Sequence, residues 1–219
     1  MSKASRLFGV VKIGPKAHME DFYSTGRLYM NTLRFFKKNE KEDNLRHDPS
    51  EGLLASYPAA MIGFEKLKGV ELHVNGPLQL DQENDEDINI FSMYGITERN
   101  LHFIVDEKAL EFGDTAVVIT QGPEFQKRVI CECKKKGWDY SFGLVDYVDK
   151  ETYSGPMGPF RKYSDRAYQS EYRIAVKANL KKPVEDFQIG DISDISCLCD
   201  SSSLREQFRV QFRRECANS

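Results

Sequence analysis

No stretch of this chain approaches the roughly 18 consecutive apolar residues that a membrane-spanning helix needs. The basic N-terminal residues precede only a short apolar run, with no small-residue cleavage site behind it. Cysteine is scarce and odd in number, at five in 219 residues, which argues against a disulfide framework and fits a reducing compartment. We therefore expect a cytoplasmic protein without a membrane partner.

Excess positive charge is also lacking. The net charge is −3, and the basic residues are scattered, which argues against a general electrostatic grip on nucleic acid. The one lysine run, 134–136, falls at the end of a predicted helix, where cations complement the helix dipole.

Several motifs with known chemistry are missing. No P-loop and no GxGxxG occurs, and the four histidines are dispersed without a nearby nucleophile arrangement. Two Cys-x-Cys pairs, Cys131/Cys133 and Cys197/Cys199, invite a zinc interpretation. Structural zinc sites usually separate their paired ligands by two or more residues, so we predict free thiols and no metal.

What is present is the material of a packed core. Apolar residues make up 40% of the chain, with Phe and Tyr prominent among them. We predict one α+β domain over 1–219, with mixed, mostly antiparallel sheets and a few short helices. The predicted strands are 6–13, 88–96, 115–120, 138–149, 168–178, 187–189, 192–198 and 206–212, with a meander over 57–81, and the main predicted helices are 106–112 and 123–136.

The stretch from 168 to 178 carries the most informative pattern. As a strand, it sends Gln169, Glu171, Arg173 and Ala175 to one face and apolar side chains to the other. Two interpretations of the polar face stay open. It is either a solvated face of cross-strand pairs, or a site in which a carboxylate accepts from ligand hydroxyls while the cation binds phosphate.

Other polar residues can join this strand. The loop Arg46-His47-Asp48-Pro49-Ser50-Glu51-Gly52 is dense in functional groups, Tyr94 ends the predicted central strand, and Lys162 precedes the Gln-x-Glu-x-Arg pattern. We expect Asp48 and Glu51 to lie in or beside the same cleft as Glu171.

The order and spacing of these pieces resemble an uncharacterised bacterial and phage family with an Asn-Asp-Pro-x-Glu-like loop and a late Glu-x-Glu-x-Arg strand. The matching segments are short: Asp48, Pro49 and Glu51; Phe91 and Ser92; 145–147; Lys162; and Gln169, Glu171 and Arg173. His47 and Gln169 depart from that pattern.

The Gln-x-Glu pattern also resembles the ADP-ribosyltransferase superfamily, which implies a fold of that type and NAD as substrate. Glu171 would then stabilise an oxocarbenium-like transition state, with Gln169 and Glu51 as further catalytic candidates. Tyr94 would stack on nicotinamide, and Arg46 or Arg173 would pair with the pyrophosphate, with Asp48 and Lys162 as further ligand contacts. A recognisable Ser-Thr-Ser strand is missing from this sequence.

Two hypotheses of function follow. The first is an ADP-ribosyltransferase-like enzyme acting on NAD in conflict between phage and bacterium. The second is a non-enzymatic protein of similar fold that binds a nucleotide-like ligand or blocks a host or defence protein. An enzyme requires Glu171 in a cleft near an aromatic ring, so the informative observation is whether Glu51, Tyr94 and Glu171 line one pocket.

Overall fold

The computed structural model describes residues 6–38, 47–61, 76–81, 87–98, 100 and 105–206. Arg46, the predicted turn at Asn75 and nearly all of the predicted strand over 206–212 lie outside these residues. In the described part of the chain, no helix combines the length and apolar character needed to cross a membrane.

The described elements alternate short strands with short helices. The strands are β1 (Leu7–Gly14), β2 (Asn31–Thr32), β3 (Ala55–Tyr57), β4 (Leu78–Leu80), β5 (Ile88–Thr97), β6 (Thr115–Ile119), β7 (Asp139–Leu144), β8 (Asp146–Val148), β9 (Gly155–Pro156), β10 (Arg161–Tyr163), β11 (Glu171–Lys177) and β12 (Ser196–Asp200). The helices are α1 (Lys16–Thr25), α2 (Leu33–Lys38), α3 (Glu107–Leu110), α4 (Gly122–Lys136) and α5 (Ser203–Glu206), with 3-10 turns at Ala59–Met61 and Ser164–Gln169.

The main sheet has seven strands in the order β12-β6-β1-β5-β11-β7, and β2 pairs with β5 beside this path. Every pairing in it is antiparallel. A second sheet has the order β4-β3-β9, and β8 and β10 form a parallel pair. The predicted α+β class with mostly antiparallel sheets is confirmed.

Strand alternation distributes apolar side chains to both faces of the main sheet. On one face, Val10, Phe91 and Ile174 pack with Phe22 of α1 and Phe125 of α4. On the other face, Val11, Ile13, Tyr94 and Ile96 pack with Ala109 of α3. The polar members of β11 face this second side, because Tyr172, Ile174 and Val176 all belong to the first core.

Helix termini follow the sequence signals. Gly26 ends α1 in the left-handed conformation at φ 62°, and its N–H donates to the Phe22 carbonyl. The Thr32 hydroxyl accepts from the Phe35 N–H at 3.2 Å and so caps α2. Asp106 caps α3 by accepting from the Lys108 N–H.

The main sheet forks between β1 and β5. Their pairing ends at Val11 and Tyr94. Beyond that point, β1 continues along β6 as far as Gly14, while β5 continues along β11 as far as Ile88. The two central strands therefore diverge, and β2 reaches the freed edge of β5 only at Ile90 and Asn89.

Several strand predictions need correction. The predicted strand over 138–149 is two strands, because β7 ends at Leu144 and β8, which begins at Asp146, pairs with β10 instead of β11. Residues 187–189 make only an isolated bridge, between Gln188 and Arg27. The strand predicted over 192–198 begins four residues later, at Ser196.

Candidate functional site

Five ionisable side chains from three separate parts of the chain meet on the second face of the main sheet. Asp48 and Glu51 come from the loop after α2, Lys162 from β10, and Glu171 and Arg173 from β11. All five are buried. The interpretation of the polar face of strand 168–178 as a solvated face is therefore wrong. Charged groups that are buried this deeply must be paired. We call these five residues the ion cluster.

Gln169 contacts the ion cluster from a different backbone position than the sequence predicts. It ends the 3-10 turn before β11, so its place on a continuous strand with Glu171 is wrong. Ser170 separates the two in a left-handed conformation at φ 39°. The side-chain oxygen of Gln169 nevertheless accepts from Lys162 Nζ at 2.9 Å.

Arg173 is the centre of the ion cluster. Its Nη1 and Nη2 each donate to a different oxygen of Glu51 at 2.7 Å. Nε donates to Glu171 at 2.7 Å, Nη2 also reaches Glu171 at 3.3 Å, and Nη1 donates to the Pro159 carbonyl at 2.6 Å. A guanidinium has five N–H groups, and all five of Arg173 are used within the protein.

Lys162 neutralises the same carboxylates from the other side. Its Nζ lies 2.8 Å from Glu171, 3.0 Å from Glu51 and 3.5 Å from Asp48. With the bond to Gln169, an ammonium that has three protons faces four acceptors. The formal charge of the ion cluster is thus two cations against three carboxylates.

Local hydrogen bonds position Glu51 and the Pro159 carbonyl beside Arg173. Asp48 turns the loop, since its carboxylate accepts from the Ser50 N–H at 3.0 Å and its carbonyl from the Glu51 N–H at 3.0 Å. The segment after β9 is fixed where the Gly158 N–H donates to the Leu53 carbonyl at 2.7 Å. This bond places the Pro159 carbonyl beside Arg173.

The ion cluster fixes its own protonation state. Burial favours the neutral form of Glu51 and Glu171, but attraction to Arg173 and Lys162 outweighs it and holds the pKa of both carboxyls below the usual 4.5. Burial likewise opposes the charge on Lys162, yet Glu171 and Glu51 raise its pKa. None of these groups is poised to exchange a proton near neutral pH, which is unsuited to general acid or base catalysis.

Two supporting residues escaped the sequence reasoning. Tyr147, noted only as part of a family pattern, accepts the Glu171 N–H at 2.9 Å, and burial followed by the charge of Glu171 raises its pKa. Asn100 donates to the Gly95 carbonyl at 2.9 Å and the Ser170 hydroxyl at 3.1 Å. Its role depends on contacts that only the folded chain creates, so no sequence signal could have revealed it.

Beside the ion cluster lies a cavity of about 730 Å³. It is lined from both faces of the main sheet, with Phe22 and Met93 from the first core and Ile13 and Tyr94 from the second. The cavity therefore runs through the fork between β1 and β5. Its volume is within the usual range of small-molecule sites.

The cavity brings together most of the predicted site. Glu51, Tyr94, Lys162, Gln169, Glu171 and Arg173 all line it. Asp48 lies beside it, in contact with Lys162, which confirms the expected proximity of the loop to Glu171. Arg46 lies outside the described residues.

Tyr94 has limited freedom to act as a stacking surface. It is buried in the second core, and its hydroxyl accepts from Asn100 Nδ2 and from the Asp106 N–H, both at 3.2 Å. The N–H groups of Arg173 and Lys162 are likewise bonded within the protein, so in this state neither residue has an N–H group available to bind a phosphate.

Among the described residues, no group of three or more His, Cys, Asp or Glu side chains is arranged to hold a metal ion. Cys131, Cys133, Cys197 and Cys199 are free thiols. In the ion cluster, the space between the three carboxylates is filled by Lys162 Nζ.

Comparisons of this chain with protein-family models, with curated proteins and with solved structures gave no match. The candidate site therefore stands on its geometry alone.

Proposed function

We propose that this protein is a non-enzymatic binding domain whose cavity takes a nucleotide-like small molecule. One observation carries the proposal: Glu171 and Glu51 together accept four of the five N–H groups of Arg173, the fifth donates to the Pro159 carbonyl, and both carboxylates also pair with the ammonium of Lys162. Carboxylates neutralised in this way shape a wall and orient ligand hydroxyls. With Arg173 and Lys162 balancing their charge, Glu51 and Glu171 are poorly suited to stabilise positive charge that develops in a transition state.

The lining of the cavity suits such a ligand. Aromatic side chains of Tyr29, Phe35 and Phe36 offer ring surface, and the first two are exposed. The polar end is the ion cluster, where carboxylate oxygens retain lone pairs that can accept from ribose hydroxyls. Arg27, paired with Asp21 at 3.2 Å on a partly exposed rim, is placed to meet a phosphate.

A second candidate function is cleavage of NAD by an ADP-ribosyltransferase-like mechanism. It is favoured by one specific observation, namely that Glu51, Tyr94 and Glu171 line a single cavity. In that case Glu171 would stabilise positive charge developing on the ribose. The neutralisation of Glu171 by two cations weighs against this candidate.

The two functions separate in one set of measurements. Calorimetric titration of the purified protein with AMP, ATP, ADP-ribose and NAD, with ribose and pyrophosphate as controls, tests binding. In parallel, nicotinamide release from NAD and transfer of labelled ADP-ribose in a cell lysate test turnover. We expect saturable binding of at least one nucleotide and no nicotinamide release.

Glu171→Gln sharpens the distinction, because it keeps the shape of the side chain and removes its charge. A binding domain should lose about 1–2 kcal/mol of ligand affinity through a weakened charged hydrogen bond. An enzyme should lose turnover roughly a hundredfold with binding retained. Wild-type release of nicotinamide would replace the first function by the second, and absence of binding to every nucleotide would remove the binding function.

A further inference from the structure

Where β1 and β5 diverge, the edge of β5 that faces away from β11 pairs with β1 at Tyr94 and with β2 at Ile90. The Gly95 N–H donates to the Ser170 carbonyl at 2.7 Å, so the main-chain groups of Gly95 point towards β11. Main-chain groups alternate between the two edges along an antiparallel strand. Those of Tyr94, Ser92 and Ile90 therefore point to the opposite edge of β5.

On that opposite edge, β1 covers Tyr94 and β2 covers Ile90. Ser92 falls between them and lines the cavity. Its carbonyl indeed points this way, because it accepts from Lys12 Nζ at 2.6 Å across the gap. Its N–H is directed into the same gap by the alternation, so one residue presents a donor and an acceptor to the cavity.

Such a pair normally meets the N–H and C=O of a neighbouring strand. A planar group with a hydrogen-bond donor next to an acceptor can take the neighbour's place, and the amine and ring nitrogen of adenine are one example. A carbonyl oxygen has two lone pairs, so Ser92 can accept from Lys12 and from a ligand together. Lys12 Nζ also lies 4.4 Å from the centroid of the Phe91 ring, which keeps the ammonium at the side of the gap.

We propose that the main chain of Ser92 is the base-recognition subsite of this cavity, and that it selects a nucleobase edge in which a donor stands beside an acceptor. The inference rests on the proposed nucleotide-binding function and gives the ligand a direction. The base enters the fork between β1 and β5, and the ribose hydroxyls face the ion cluster.

The test compares three nucleotides by calorimetry: AMP, purine riboside 5′-monophosphate, which lacks the amine, and N6,N6-dimethyl-AMP, which keeps the nitrogen but has no donor. Sites built around a hydrogen bond strongly reject an analogue that lacks it. We expect both analogues to bind at least tenfold more weakly than AMP. In ¹⁵N-labelled protein, AMP should shift the Ser92 amide resonance and the purine analogue should shift it less.

Lys12→Met controls for recognition by the lysine, since it keeps the side-chain stem and removes the ammonium. The preference for AMP over the purine analogue should persist in this variant, and its disappearance would assign recognition to Lys12 and overturn the inference. Equal binding of all three nucleotides would also overturn it while leaving the binding function intact. If no nucleotide binds and millimolar adenine leaves the Ser92 resonance unmoved, both the function and the subsite are wrong.

Discussion

Arg173 and Glu51 form an end-on ion pair with two hydrogen bonds of 2.7 Å, and each side chain is 1% exposed. The pair joins the loop after α2 to the centre of the main sheet. Because both groups are buried away from solvent, each depends on the other for compensation of its charge.

Removing Arg173 should therefore be costly. Arg173→Met leaves Glu51 and Glu171 buried with Lys162 as their only remaining cation in the ion cluster, and breaking a buried pair in this way typically costs about 3–5 kcal/mol. The matched control is Arg205→Met, whose pair with Glu107 is solvent-exposed. Exposed pairs contribute about 0–1 kcal/mol.

The measurement is urea denaturation of both variants at neutral pH. A loss for Arg173→Met no larger than that for Arg205→Met would show that the ion cluster is a replaceable polar wall.

Acid should weaken the protein through Glu51 and Glu171. Their folded-state pKa values lie below 4.5, so the unfolded chain binds their protons first as the pH falls. The stabilisation from these groups is thus complete above about pH 5.5 and decreases as the pH falls through 4.5 towards the folded pKa values.

Comparison with Glu51→Gln isolates this contribution, because the variant has one carboxylate fewer to protonate. Its free energy of unfolding should fall less steeply than that of the wild type between pH 5 and pH 3. Parallel pH profiles for the two proteins would contradict the depressed pKa of Glu51.

Tyr147 should support Glu171 through its hydroxyl. Tyr147→Phe removes the acceptor of the Glu171 N–H, and an unsatisfied buried donor costs about 1–3 kcal/mol. Tyr140→Phe is the control, since Tyr140 contacts Phe142 through its ring and its hydroxyl makes no hydrogen bond among the described residues. Thermal unfolding of both variants measures the difference, and equal melting temperatures would leave Tyr147 a packing residue only.

The thiols should differ in reactivity. Burial, with a smaller effect of Glu132, raises the pKa of Cys133 to about 11, whereas Cys131 and Cys197 are exposed. Iodoacetamide at pH 7.5 followed by peptide mass spectrometry should label Cys131 and Cys197 and spare Cys133 until denaturant is added.

Metal analysis should find no stoichiometric zinc, and one equivalent per chain would refute the free-thiol prediction.

Much of the fold could be predicted because local patterns agree with tertiary packing. The continuous apolar run of β5 marks a strand buried on both faces, and Gly26 and Thr32 mark helix ends that depend on neighbouring residues alone. The 3-10 turn before β11 could not be predicted in this way. It depends on Asn100 and Gly95 holding Ser170 in a left-handed conformation.

The membership of the ion cluster was predictable, but its burial was not. Alternation places Glu171 and Arg173 on one face without showing what covers that face. The cover is the loop at Glu51 and the segment at Pro159, which tertiary hydrogen bonds position. Since charge in a sequence usually indicates a solvated surface, the pattern alone favours the wrong interpretation.

The partners in the ion cluster are far apart along the chain, since Glu51 and Arg173 are separated by 122 positions. A contact of such long range closes only after the strands between its ends have assembled, so most of its energy is gained late in folding. Interactions that form after the transition state slow unfolding and leave the folding rate nearly unchanged. The ion cluster should accordingly extend the lifetime of each folded molecule, independently of any ligand in the fork.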